Sequence, residues 1–161
     1  AEASARIAMR NALFLGRLKL SELVVPWCTY TDPEIAHVGL YPAEARRDAV
    51  PVKTYTVLMH DVPRAVMDGE EDGFVKVHVR EGSDHILGAT VVATHAGEMI
   101  NAVSLAIAAD MGLHALADVI HPFPTQAQGI KMAGDAYRKA KLTSLRSRLG
   151  KRWPRGTTDK A

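Results

Sequence analysis

Cysteine is almost absent from this chain of 161 residues: Cys28 stands alone. One thiol rules out an internal disulfide or redox pair, and it fits a reducing, cytoplasmic compartment. Soft-metal chemistry built on paired thiolates is excluded with it. No Gly-x-Gly-x-x-Gly run occurs, so no dinucleotide-binding turn opens a helix here. No apolar run approaches a membrane span. No basic start with an apolar centre reads as a signal peptide. The acidic run Glu70-Glu71-Asp72 lacks the spacing of a calcium loop and reads as a solvated turn. Initiator Met is missing too; the chain opens at Ala1 inside a helix-like stretch, which reads as one segment of a longer protein.

What is present suits one domain that can bury a real core without staples. Nine of the 20 Lys and Arg, but one of the 18 acids, fall in residues 138–161. The body is therefore acidic and the end strongly basic. The basic end, with Trp153 among Lys151, Arg152 and Arg155, reads as a solvated tail. No nucleic-acid-binding signature accompanies it, and membrane contact is the weaker reading.

Periodicity predicts a helix over Ala1 to Gly16 and a strand over Leu23 to Tyr30, broken by Asp32-Pro33. Pro42 opens a short helix through Arg47. Strands follow at Lys53 to His60, Gly73 to Arg80 and Ile86 to Ala93, with a hairpin turn at Glu81 to Asp84. Helices are predicted from Ala96 to Met111, from His114 to Ile120 and from Gln126 to Lys141. The grouped order is α+β rather than βαβ alternation.

Two motifs, about eighty residues apart, carry the functional signal. The first is Pro26-Trp27-Cys28-Thr29-Tyr30-Thr31-Asp32-Pro33-Glu34-Ile35-Ala36-His37-Val38-Gly39. The second is His121-Pro122-Phe123-Pro124-Thr125-Gln126-Ala127-Gln128. Read alone, the second is a proline-stiffened loop with Phe123 filling an apolar gap and a Thr125–Gln128 capping box.

Together, and with Gly88-Ala89-Thr90-Val91-Val92 and Ala96-Gly97-Glu98, they resemble the C-terminal dimerisation domain of the FAD-dependent pyridine-nucleotide–disulfide oxidoreductases. The branch that the chain resembles most is the mercuric-reductase-like one. The resemblance implies an antiparallel sheet with helices packed on it, and a homodimer. It implies that residues 1–22 form the last helix of a preceding FAD domain, that 23–142 are the dimerisation domain, and that 143–161 are a flexible basic tail. FAD and NAD(P)H are implied for the longer parent, whose FAD and NAD domains would be partners; none is expected in this segment. The loop His121, Pro122, Phe123, Pro124, Thr125 would cross the dimer to the other subunit's flavin site.

The family's loop reads His-x-His-Pro-Thr-x-x-Glu, and its second His is an acid–base group oriented by the Glu. Here Phe123 and Gln128 occupy those two positions. Phe cannot carry a proton and Gln cannot raise a histidine's pKa. No residue is therefore assigned a catalytic role. The branch's C-terminal cysteine pair is absent as well.

The other candidates have plainer readings. Cys28 packs as a small hydrophobe, with no cation beside it in sequence. His95 and Glu98 lie three apart, with His114 and His121 further on; a metal site there lacks a second close pair. Glu98 is expected to serve the start of its own helix. His37, His60, His78 and His85 read as scattered and exposed. The rival to the whole reading is a free-standing α+β domain that binds a protein or small molecule without redox activity.

Overall fold

The computed structural model describes residues 2–152, and side chains through residue 146. Five strands form one antiparallel sheet: β1 (Trp27–Thr29), β2 (Glu34–Gly39), β3 (Val52–Leu58), β4 (Phe74–Arg80) and β5 (Ile86–Ala93), in the order β1-β2-β5-β4-β3. Six α-helices accompany them: α1 (Glu2–Phe14), α2 (Pro42–Arg47), α3 (Pro63–Asp68), α4 (Ala96–Ala108), α5 (Leu113–Asp118) and α6 (Gln128–Arg152). The α+β expectation holds.

The pleat explains the core. Val75, Val77 and Val79 of β4 fall on one face with Ala89, Val91 and Ala93 of β5, Ala36 and Val38 of β2, and Tyr55 and Val57 of β3. Met99, Ile100, Val103 and Ala106 of α4 cover one part of that face, and Ile130, Ala133 and Tyr137 of α6 another. Alanines at 36, 89 and 93 keep the strand surface low where α4 lies on it. Fully burying each valine contributes about 1.5–3 kcal/mol.

Several local expectations are corrected. The predicted strand over Leu23 to Tyr30 contracts to Trp27–Thr29, and the chain re-enters as β2 straight after Asp32-Pro33. Glu34 and His37 disguised β2, because the hairpin faces two different surroundings. Helix α3 was not foreseen, although Pro63 sits in its first turn where proline is tolerated. Helix α6 continues past Lys141 to Arg152; Trp153 and the rest of the predicted tail lie outside the described residues. Helix α1 buries no side chain.

The β4–β5 turn is latched to the α4–α5 connection. Leu113 N–H donates to Asp84 O at 2.8 Å, and His114 pairs with the Asp84 carboxylate. Burial, the largest single influence, would raise that carboxyl, but the hydrogen bond from His114, backbone hydrogen bonds and the His114 charge together outweigh it and hold it low. A side chain at Gly112 would collide with Asp84.

Two histidines expected outside are inside. His37 and His78 are each 2% exposed, on the sheet face away from α4. Nε2 of His37 donates to Gly39 O at 3.0 Å, so Nδ1 accepts from the Thr90 hydroxyl at 2.9 Å. Tyr41 stacks on the ring at 3.6 Å between centroids. Burial lowers its pKa, against a smaller pull from Gly39. His78 Nδ1 bonds the Thr54 hydroxyl at 2.8 Å, and Gly88 lies opposite it with no side chain to displace the ring. Burial, then the charges of Lys76 and His37, push His78 down to about 4.

A histidine lowered by folding is protonated by the unfolded chain first. Its contribution is complete above about pH 6.5 and is lost as pH falls from there towards 4. We expect His78 to make the chain about 2 kcal/mol less stable at pH 5 than at pH 7.5. His78→Gln, which retains a partner for Thr54, should remove most of that difference in urea denaturation. An unchanged pH dependence in the variant would contradict a buried neutral His78.

Candidate functional site

The α5–α6 connection, residues 119–127, carries the second motif. Its tip faces outward: Ile120 is 93% exposed and Phe123 is 70% exposed. Phe123 therefore fills no gap within this chain, contrary to the reading of the loop by itself. Behind the tip the loop is tied down. The Thr125 hydroxyl donates to Pro122 O at 3.0 Å, closing a tight turn. Gln128, Gly129 and Ile130 N–H groups then donate to the carbonyls of Thr125, Gln126 and Ala127. These bonds lead into α6. The Phe123–Pro124 peptide is cis.

The predicted capping box does not form. The Thr125 hydroxyl is committed to Pro122, and Gln128 Oε1 is buried without a hydrogen-bond partner among the described residues. His121, half-buried, likewise has Nε2 buried and unpartnered.

Gln126 is the anchor that sequence reasoning missed. It is 5% exposed, and its Nε2 donates to Glu70 Oε2 at 2.5 Å. Glu70, read as part of a solvated turn, is half-buried and holds the loop instead. The β5–α4 corner and α3 complete the surroundings. Arg64 Nε donates to Asp68 Oδ2 at 2.7 Å. That bond is the largest of the causes holding the Asp68 carboxyl below its usual range. Between these parts lies a cleft of about 290 Å³, lined by Arg64, Asp68, His95, Glu98 and the 124–127 stretch. The signal for Gln126 in sequence is thin: a polar residue between Thr125 and Ala127 at a helix entry.

The four candidates for a metal do not assemble. His95 and Glu98 line the cleft, while His114 is paired to Asp84 at the other end of α4. Among the described residues no group of three His, Cys, Asp or Glu could hold a metal ion. As expected, Glu98 stands in the first turn of α4, where the helix dipole favours an acid, although it does not cap the helix. Glu34 of β2 does so, accepting from Gly97 N–H at 2.9 Å. Cys28 lies beside the same carboxylate, its Sγ 4.0 Å from Glu34 Oε2. Burial and then the Glu34 charge raise the thiol, so it stays protonated and weakly nucleophilic.

Comparison with known proteins agrees with this architecture. The family described as pyridine nucleotide-disulphide oxidoreductase, dimerisation domain, matches residues 25–133. The mercuric reductase of Shigella flexneri is 36% identical over 124 residues, covering 77% of this chain and 22% of the reductase. A dihydrolipoyl dehydrogenase from Chlamydia muridarum is 38% identical over 104 residues, covering 65% of this chain and 22% of its own. The crystal structure of LpdA from Mycobacterium tuberculosis superposes with a TM-score of 0.78 at 28% identity, covering 85% of this chain and 30% of that one. The chain thus spans between a fifth and a third of the length of these relatives. No described helix is long and apolar enough to cross a membrane.

The Gln126–Glu70 bond yields a direct test. Gln126→Glu sets two carboxylates against each other at a buried point, and should cost about 1–3 kcal/mol at pH 7.5. Adding Glu70→Gln reverses the polarity of the pair and should restore most of the loss. Urea midpoints of the two single variants and the double variant check this, and strictly additive effects would show that the residues do not meet.

Proposed function

The chain belongs to the pyridine nucleotide-disulphide oxidoreductase dimerisation-domain family, and on that premise we propose that it is the dimerisation module of an FAD-dependent NAD(P)H oxidoreductase of the mercuric-reductase-like branch. It joins two copies and presents the His121–Thr125 loop to the partner subunit's flavin site. The supporting observation is the loop itself. Two large apolar side chains, Ile120 and Phe123, project from a tip that Gln126 fixes from behind. Leu105 and Val119 add exposed apolar area. Such a surface gains by meeting its own copy across a two-fold axis.

FAD does not fit this chain itself. A dinucleotide needs free N–H groups at a helix start behind a glycine-rich turn. At α4, the Gly97 N–H is already taken by Glu34. The flavin and nicotinamide sites are therefore assigned to the remainder of the longer protein. There the flavin would accept hydride from the nicotinamide, and this chain supplies shape and a dry boundary.

Proton transfer is not part of the role we assign to the loop. Phe123 replaces the family's acid–base histidine, and its ring has nothing to donate. Among the described residues Gln128 Oε1 has no partner, so it orients no histidine there. His121 packs half-buried behind the tip, where ordering the loop is its natural task.

Two outcomes test the proposal. Sedimentation equilibrium at micromolar concentration should find a dimer, and Ile120→Asp with Phe123→Asp should weaken it by at least about tenfold. A wild-type chain that stays monomeric would overturn the autonomous module. In the longer oxidoreductase, His121→Ala should lower turnover by less than about tenfold, short of the loss that removing an acid–base group causes. A fall of several orders of magnitude, with the dimer and bound flavin intact, would make His121 the working proton carrier.

A further inference from the structure

On the β3 edge of the sheet a separate cleft of about 260 Å³ opens between β3, the β4–β5 turn and α6. Among the described residues that line it, none belongs to the 119–127 loop and none is Asp or Glu. Its floor is a tyrosine pair. Tyr55 and Tyr137 are each 8% exposed, and their rings meet edge to face with centroids 5.6 Å apart at 79°. Neither hydroxyl has a hydrogen-bond partner among the described residues, although both side chains line the cleft. Burial, then the neighbouring Tyr137, raises the Tyr55 phenol, so it remains a donor at neutral pH.

Two ammonium groups flank this floor. Lys53 Nζ stands 5.7 Å from the Tyr55 ring centroid, and Lys141 Nζ 5.8 Å from that of Tyr137. Neither lysine forms an ion pair with a described carboxylate. Four donors from two elements thus line one cleft, two of them ammonium groups, with no anionic group among the described lining residues. A phenol hydroxyl that opens onto the cleft without a protein partner is free to donate to a ligand seated there. A carboxylate carries one negative charge and presents two oxygens; a phosphate monoester carries nearly two and presents three. Ala140 and Leu145 and the tyrosine edges supply an apolar wall beside the polar end.

We propose that this cleft binds a small phosphate monoester, with Lys53 and Lys141 neutralising the phosphate, Tyr55 and Tyr137 donating to its oxygens, and the organic body lying against α6. The site is independent of the flavin-facing loop, so its success or failure leaves the dimer reading untouched.

Phenyl phosphate is the probe. Amide NMR titration of the chain at fixed ionic strength should give saturable shifts centred on Gly82, Ser83, Tyr137 and Lys141, with a dissociation constant at or below about 1 mM. Inorganic phosphate should bind the same place several-fold more weakly, and benzoate should give no saturable shift. Lys53→Met with Lys141→Met, which keeps the stems on exposed positions, should raise the dissociation constant at least about tenfold. Tyr55→Phe with Tyr137→Phe should raise it about three- to tenfold while leaving the rings in place. Absence of saturable shifts up to about 20 mM, or unchanged binding in the lysine variant, would overturn the site. Benzoate binding as tightly as phenyl phosphate would overturn the dianion, and inorganic phosphate doing so would overturn the ester.

Discussion

Along β4 and β5 every second side chain must enter a dry layer beneath α4 and α6, and the remaining geometry answers to that requirement. Because the side-chain period of a strand is two, a slip of one residue would turn Val75, Val77 and Val79 outward and draw Lys76 and His78 into the core. The register is therefore held by burial and not by the turn alone. From it follow the partners of β5 on its other side, where β2 places Ala36 and Val38 into the same layer. The helices follow too. With α4 seated on β2 and β5 and α6 on β3 and β4, the connection running from α5 into α6 has a fixed place to enter.

At that place a second, more local constraint operates. Pro122 and Pro124 remove backbone donors and stiffen the loop, but stiffness does not give it a position. Position comes from Gln126, which reaches from the loop to Glu70 after α3, and from Thr125, which closes onto Pro122. The apolar tip can then be rigid and exposed together. A mobile tip would lose conformational entropy on every association, whereas a fixed one has met that cost in folding. This is the physical content of the proposed dimer role: an ordered apolar surface is kept ready by polar bonds behind it.

The sheet was legible where alternation was clean. Val75, Val77 and Val79 against Lys76, His78 and Arg80 identify β4, and the apolar run at β5 marks a strand with one neighbour on each side. Helix α4 was legible from its broad apolar face. The strand β2 was not, because its outward position is filled by His37, a polar ring buried between Thr90, Gly39 O and Tyr41. Periodicity counts such a residue as solvent-facing. His78 was misread for the same reason. In the site, the motif located the loop, but its supports were hidden. Gln126–Glu70 joins residues 56 apart in sequence, and Glu34 caps α4 across 63. No local pattern announces a contact over that separation. The capping box failed in the opposite sense: its pattern was present, yet Pro122 O lay nearer at hand for the Thr125 hydroxyl.

The replacement of histidine by Phe123 then has a consistent physical consequence on the proposed reading. An imidazole at the loop tip would need a carboxylate behind it to set its tautomer and hold its charge, and would have to remain hydrated until the partner arrived. Phe123 needs neither, and Gln128 correspondingly supplies no charge. Both changes move the loop in the same direction, away from proton transfer and towards apolar contact. A single change could be drift at a tolerant position. A paired change, in which the orienting acid is neutral where the oriented base is gone, matches a loop whose work is done by surface and shape. On that proposed reading, catalytic proton handling, where the parent requires it, is expected from groups outside this chain.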